Sequence, residues 1–281
     1  MPRKLLLVFI LLNFLFVLAG CGKDPYAIER EFWYLQKKAK SVYLNPDASP
    51  NRQVNKIVNA LNNFAKRNPN TTLEISAEFS IASLYIAKKE FSMARQQLQN
   101  MLIKHKDSDL VSSEVLFFIG NSYELEDKWP QALSKYKDII NRYPTTKRGL
   151  EVPLYIAQYY KIKYQPDKMK EAFNDAADHF IGLSQTYRDK PLGFTAILLA
   201  AESKYAVKDY QGCINVFDSA LNTYTDKDMR ASAMMNKALM YFNGLKDKAK
   251  TKETLQRLIN DYPKNKLAEN ARKFLKELEK K

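Results

Sequence analysis

Apolar positions along this chain fall three and four residues apart, and no stretch sustains a period-two alternation. Strands therefore have no signal, and the pattern predicts helices throughout. One pair is well defined. Leu116, Ile119, Gly120 and Tyr123 share a face of one helix, and Ala132, Tyr136 and Ile139 share a face of the next. Pro144 follows where a helix must stop, because proline cannot continue one. Near the C-terminus Ala268, Ala271, Leu275 and Leu278 form a stripe with lysines and glutamates elsewhere, predicting a lone helix from Leu267 to Leu278.

The pair recurs. One unit upstream carries Ala82, Tyr85, Ala94, Leu98 and Met101, and one downstream carries Ala201, Tyr210, Cys213, Phe217 and Ala220. The last unit carries Leu239, Phe242, Leu255, Leu258 and Pro263. A divergent copy with Ala157, Tyr160, Phe173 and Ala176 has a longer second helix running through His179 to Tyr187. A small residue steps from Ala94 to Ala132 by 38 positions and from Cys213 to Thr251 by 38 again. The best unit is similar to the tetratricopeptide pattern W-x2-L-G-x2-Y, then A-x3-F, then P, with Leu116 in place of the Trp and Tyr136 in place of the Phe. Gly120 and Ala132 are expected where paired helices come into close contact, with Tyr123 and Tyr136 filling the space beside them.

The N-terminus carries a different signal. Arg3 and Lys4 precede an apolar run from Leu5 to Val17, closed by Leu18-Ala19-Gly20-Cys21. The run is shorter than the roughly 20 apolar residues of a spanning helix and has the layout of a secretory leader. The Leu-Ala-Gly-Cys end resembles the bacterial lipobox, which implies cleavage before Cys21 and a covalent lipid on its thiol. The expected fold class is all-α, a tetratricopeptide-type helical-hairpin solenoid after a cleaved lipoprotein signal peptide. The leader is 1–20, and 21–25 is the lipidated Cys21 with a short tether. The solenoid over 26–281 comprises an atypical first hairpin 26–69, repeats at about 75–108, 113–146, 150–188, 194–226 and 232–265, and a capping helix 267–281. The hairpin loop is Asn45-Pro46-Asp47-Ala48-Ser49-Pro50.

Cys21, the repeats, and the junctions Arg142-Tyr143-Pro144 and Asp261-Tyr262-Pro263 together resemble tetratricopeptide lipoproteins of the bacterial outer membrane. That family includes the lipoprotein D subunit of the β-barrel assembly machine. The resemblance implies an outer-membrane anchor facing the periplasm and a non-catalytic scaffold for outer-membrane protein assembly or envelope biogenesis. It also implies that other envelope proteins or peptides bind on a concave face lined by the first helix of each repeat. Carried onto this sequence, the groove positions are Glu114, Phe117, Asn121 and Glu124, then Glu151, Leu154, Gln158 and Lys161, then Leu198, Glu202 and Tyr205. Their local charge reads as acidic, suiting a neutral or cationic segment. A cell-wall glycan-binding or secretion-accessory lipoprotein is the alternative.

Composition narrows the chemistry. Without Arg3 and Lys4 the net charge of +14 becomes +12 over residues 21–281. Lys246, Lys248, Lys250, Lys252, Lys273, Lys276, Lys280 and Lys281 crowd the C-terminal end. They lack a nucleic-acid-binding motif, so no nucleic acid is expected as a partner, and a solvated face is the simplest reading, with anionic lipid headgroups or an acidic partner as the alternatives. Cys213, flanked by Ile214, Val216 and Phe217, reads as a buried, unreactive thiol. The two histidines, His105 and His179, sit in no metal-spaced cluster. His105, between Lys104 and Lys106, reads as solvated, and His179 as packing or capping within its long helix. Asp107-Ser108-Asp109 reads as a helix N-cap. No metal and no cofactor beyond the Cys21 lipid is expected, and no nucleophile or phosphate-loop motif suggests an enzyme.

Overall fold

The computed structural model describes residues 25–279. The leader and Cys21 lie outside them. Thirteen α-helices occupy the described residues. They are α1 (Pro25–Leu44), α2 (Asn51–Arg67), α3 (Thr72–Ala87), α4 (Phe91–Lys104), α5 (Asp109–Glu124) and α6 (Trp129–Arg142). Next come α7 (Lys147–Ile162), α8 (Pro166–Thr186), α9 (Pro191–Ala206) and α10 (Tyr210–Thr223). α11 (Lys227–Leu239) is extended by a π turn, Met240–Gly244, before α12 (Lys248–Asp261) and α13 (Lys266–Glu279). The fold is all-α, made of tetratricopeptide-type helical hairpins. No described helix is long and apolar enough to cross a membrane.

The repeat is written most plainly in the backbone of the tight turns. Lys89, Asp127, Tyr164, Lys208 and Lys246 all have positive φ, between 53° and 61°. Each stands one residue before the N-cap of the second helix in its hairpin. The amide after it closes the first helix by reaching five residues back, Glu90 to the Tyr85 carbonyl at 2.8 Å and Lys128 to Tyr123 at 2.9 Å. Gln165 to Tyr160 and Asp209 to Lys204 repeat this at 2.9 Å. This is the left-handed helix stop in which a late amide satisfies a last-turn carbonyl. In the fifth turn Asp247 reaches Tyr241, six residues back, at 2.9 Å, because the π turn adds a residue.

Second helices begin at the residue after each cap, and the small-residue position follows in the first turn. Ala94, Ala132, Cys213 and Thr251 are all fully buried there. The divergent hairpin of α7 and α8 has Met169, half-buried, at this place. Gly120 meets the same constraint from the partner helix. A Cβ built on it would stand 2.5 Å from Cε1 of Tyr136, whose side chain is fully buried. Gly149 lies under a carbonyl, where a Cβ would stand 2.1 Å from the Tyr143 oxygen. Thr71, Thr146, Asp209, Asp226 and Asp247 cap their helices by accepting from the backbone amide three residues on. In Asp107-Ser108-Asp109 the capping atom is Ser108 Oγ, which accepts from the Val111 amide at 3.4 Å.

The described residues fall into two compact units, one of residues 25–106 and 121–132, the other of 107–120 and 133–279. α5 is continuous and contributes to each. The first unit's core joins Leu35, Ala39 and Val42 of α1 to Ile57, Leu61 and Phe64 of α2 and to Ala77, Ile81 and Leu84 of α3. In the second unit, Phe180, Phe194, Ile197, Cys213, Phe217 and Tyr224 centre one cluster. Met234, Ala238, Leu255, Leu258, Ala271 and Leu278 centre another beneath α13.

Candidate functional site

The sequence-derived groove positions lie on α5, α7 and α9, the first helices of three hairpins. Within the second unit the structure brings Glu114 and Phe117 of α5 together with Glu151 of α7 through a residue the motif did not mark. Arg148 donates from Nε and Nη2 to the two Glu114 carboxylate oxygens, each at 2.7 Å, and from Nη1 to Glu151 at 3.1 Å. Its guanidinium carbon lies 3.8 Å from the centroid of the Phe117 ring. The Arg148 pKa is raised, first by the Glu114 hydrogen bonds and against the lowering by burial. A flat, always-charged fork suits both contacts, which a lysine could not make together.

Phe117 is held from its other side as well. Its ring centroid lies 5.6 Å from Tyr136 and 5.5 Å from Tyr155, and the two tyrosines are 5.4 Å apart in an edge arrangement. Phe117 therefore belongs to a packed aromatic trio capped by a cation. Part of the negative charge expected on this face is compensated, since Arg148 pairs with Glu114 and Glu151 and Lys147 Nζ stands 3.8 Å from Glu151. Arg148 was not marked by the repeat motif, and nothing in the sequence pairs it with Glu114, 34 residues away.

The remaining positions differ in how freely they meet solvent. Asn121 and Glu124, on the last turns of α5, are half-buried in the first unit. Leu154 is half-buried against the cluster that contains Phe194, Ile197 and Ala201, while Gln158 and Lys161 are exposed. Leu198, Glu202 and Tyr205 form an exposed stripe along α9. The Tyr205 ring is 48% exposed and its orientation is fixed by an edge contact with Tyr210 at 5.7 Å. Leu198, at 37% exposed, adds an apolar position on the same side two turns earlier.

Other candidate chemistry is structural. Cys213 is buried, its thiol donates to the Ala201 carbonyl at 3.2 Å, and burial followed by the Asp209 charge pushes its pKa up to about 11. A thiol held protonated in this way is a poor nucleophile. His105 departs from the solvated reading. Its side chain is 15% exposed, and Nε2 lies 2.9 Å from Glu78 Oε2. The reason is that α3 turns two acids, Glu74 and Glu78, onto the end of α4, where Lys104 also pairs with both. His179 is packed as read, its ring edge-on to Phe180 at 5.4 Å, with Nε2 buried and lacking a hydrogen-bond partner. Among the described residues no group of histidine, cysteine and acids could hold a metal ion.

The tetratricopeptide repeat family model matches residues 114–146 and 232–265. The first match opens on Glu114 and spans α5 through Thr146, and so includes the Gly120–Tyr136 contact. Solved structures similar to this chain include BtubC (BKLC) from P. vanneervenii, at 12% identity over 83% of this chain and 90% of that one, with a TM-score of 0.37. A tetratricopeptide repeat protein from Parabacteroides merdae is 12% identical over 82% of this chain and 80% of its own, with a TM-score of 0.35. The TPR2AB domain of yeast Sti1, solved in its pHSP90 complex, is 15% identical over 91% and 98%, with a TM-score of 0.36. No curated protein matches this chain.

Proposed function

We propose that this protein is a non-catalytic scaffold, anchored to a bacterial membrane by a lipid on Cys21, that holds a protein or peptide partner on the first helices of its repeats. The observation that carries the reading is the exposed stripe Leu198, Glu202 and Tyr205 on α9, in a chain with two segments, 114–146 and 232–265, that match the tetratricopeptide repeat family. A half-exposed tyrosine of fixed orientation offers rigid contact area with a polar tip. Glu202 beside it can accept hydrogen bonds from a bound segment. The outer membrane, facing the periplasm, is the proposed location, and outer-membrane protein assembly or envelope biogenesis the proposed process.

The test is photo-crosslinking in intact envelopes with a probe at Gln158, comparing the natural chain with Leu198→Ala/Glu202→Ala/Tyr205→Ala. Phe117 is left intact because its ring belongs to the packing of Tyr136 and Tyr155. Loss of one specific protein adduct with the melting temperature unchanged supports the scaffold. An unchanged adduct set, or retention of both chains on purified peptidoglycan, overturns it in favour of another face or a glycan ligand. Anchoring is tested separately. Cys21→Ser is expected to leave the precursor uncleaved and free of lipid label, and normal maturation of that variant would refute the lipid anchor.

A further inference from the structure

α1 carries two faces of opposite character. Leu35, Ala39 and Val42 are buried in the first unit's core, with Ile28 and Phe32 packed against it. The opposite side is exposed and is not polar in the ordinary way. Tyr26 is 73% exposed, Trp33 63%, Tyr34 54% and Leu44 68%. These positions recur at helical spacing, so they form one stripe along the outer side. Interleaved with them are Arg30, Lys37, Lys38 and Lys40, all exposed. The Lys37 ammonium lies 5.3 Å from the Trp33 ring centroid, and that of Lys38 lies 4.3 Å from Tyr34. Of the two acids on α1, Glu31 is paired with Arg67 of α2 and Glu29 is exposed one turn before Trp33, so four basic residues stand against one acid on the aromatic side.

We propose that this face of α1 lies on the phospholipid surface to which Cys21 tethers the chain, with the aromatic rings at headgroup depth and the basic side chains paired with anionic headgroups. The proposal rests on the anchoring read for Cys21. Three residues separate Cys21 from Pro25, so the four steps between them reach at most about 14 Å in extended chain. A lipid on Cys21 therefore holds the start of α1 at the membrane–water boundary whatever the rest of the protein does. A helix so placed meets the surface with one side, and the side left unburied is the aromatic and basic one. Tryptophan and tyrosine favour that boundary because each joins an apolar ring to a polar group. Lysine and arginine reach headgroup charges while laying their stems on apolar surface. Each basic side chain near an anionic surface contributes about 1 kcal/mol, lost with salt. The consequence is orientational. A single tether leaves the repeats free to swing, and a second contact along α1 fixes which way they face.

The test uses the full chain, matured in cells and purified with its lipid. The chain has two tryptophans, so Trp129→Phe makes Trp33 the sole reporter. Trp33→Phe, which keeps Trp129, gives the same reading by difference should the first variant unfold. The chain is reconstituted into phosphatidylethanolamine vesicles with and without phosphatidylglycerol. Trp33 emission is read against acrylamide in the water and against lipids brominated near the headgroup. The expected result is a blue shift, protection from acrylamide and quenching by brominated lipid, each weakened by Lys37→Glu/Lys38→Glu/Lys40→Glu and by omitting phosphatidylglycerol. Trp33 emission as in water, in a chain that stays with the vesicles, overturns the α1 contact and leaves the anchor standing. The mass of the N-terminal fragment reports the anchor by itself. An unmodified Cys21 there overturns the anchor and, with it, the tether on which the α1 contact rests.

Discussion

Arg148 closes over the Phe117 ring at 3.8 Å while its fork engages both oxygens of Glu114 at 2.7 Å, so α5 and α7 are joined by a cation that reads one helix twice. The Arg148 side chain is 23% exposed and that of Glu114 32%, so the pair sits where water screens it only in part. Hydrogen bonds involving charged groups are worth about 1.5–3 kcal/mol in such settings. Arg148→Ala is expected to lower the unfolding free energy by about 1–3 kcal/mol. Arg148→Lys should recover less than half of that loss, since an ammonium cannot pair bidentately and stack at once. A double-mutant cycle with Glu114→Gln should give a coupling of about 1 kcal/mol in urea melts. Strict additivity would mean the contact contributes nothing.

Gly120 of α5 packs directly against the ring of Tyr136 on α6. A Cβ at 2.5 Å from the tyrosine ring cannot be accommodated without moving one helix or the ring. Gly120→Leu should cost at least the roughly 1–3 kcal/mol of an overpacked core, whereas Lys276→Leu on exposed α13 surface should leave the midpoint nearly unchanged. Combining Gly120→Ala with Tyr136→Leu should recover part of the loss of Gly120→Ala, because the ring that clashes is gone. No recovery would place the strain elsewhere.

Gly120, Ala132 and Tyr136 were legible in the sequence because steric contact at a helix crossing admits few residue types, and those types recur at a fixed step. The cap at Asp107-Ser108-Asp109 was legible from its residue types, and the terminal α13 from its apolar stripe. Two things were not. The five left-handed turn residues are lysine, aspartate and tyrosine, where glycine would have announced them. Long-range pairing was also hidden, as in Arg148 with Glu114 and His105 with Glu78, because a charge on a helix surface does not name its partner until neighbouring helices are placed. The groove positions fall on the expected helices, but their character changed once their neighbours were known. Phe117 is packed under a cation, whereas Tyr205 is presented to solvent.

Tyr164 offers a direct reading of turn strain. Its φ is 53°, its side chain is 93% exposed, and the amide after it closes α7 on Tyr160. A side chain in the left-handed region costs roughly 1–2 kcal/mol against a right-handed one, and glycine avoids that cost. Tyr164→Gly should therefore raise the unfolding midpoint, by up to about 1 kcal/mol once the greater freedom of an unfolded glycine is set against it. Urea melts of the two chains decide the matter. A fall in the midpoint would show that the exposed ring does something for the fold that its surroundings do not reveal.

His179 should give the second unit a pH-dependent stability. Burial lowers its pKa below the ordinary 6.5, because the charged ring would lose its water and Nε2 has no acceptor in the fold. The ring lines a cavity of about 200 Å³ with Ile140, Pro153 and Ile156, alongside Asp175 of its own helix and Lys137 of α6. Those opposite charges face it together, and the direction left by burial is downward. The unfolded chain therefore takes up the proton first as pH falls through 6.5. Stability contributed by the neutral ring is full above that value, declines below it, and stops declining once the pH is under the folded pKa. Comparing urea midpoints at about pH 7.5 and about pH 5 for the natural chain and His179→Leu isolates this share from that of the carboxylates. The natural chain should lose more stability on acidification than the variant does. Equal losses in both chains would mean that the ring finds a partner for its proton, with Asp175 the nearest candidate.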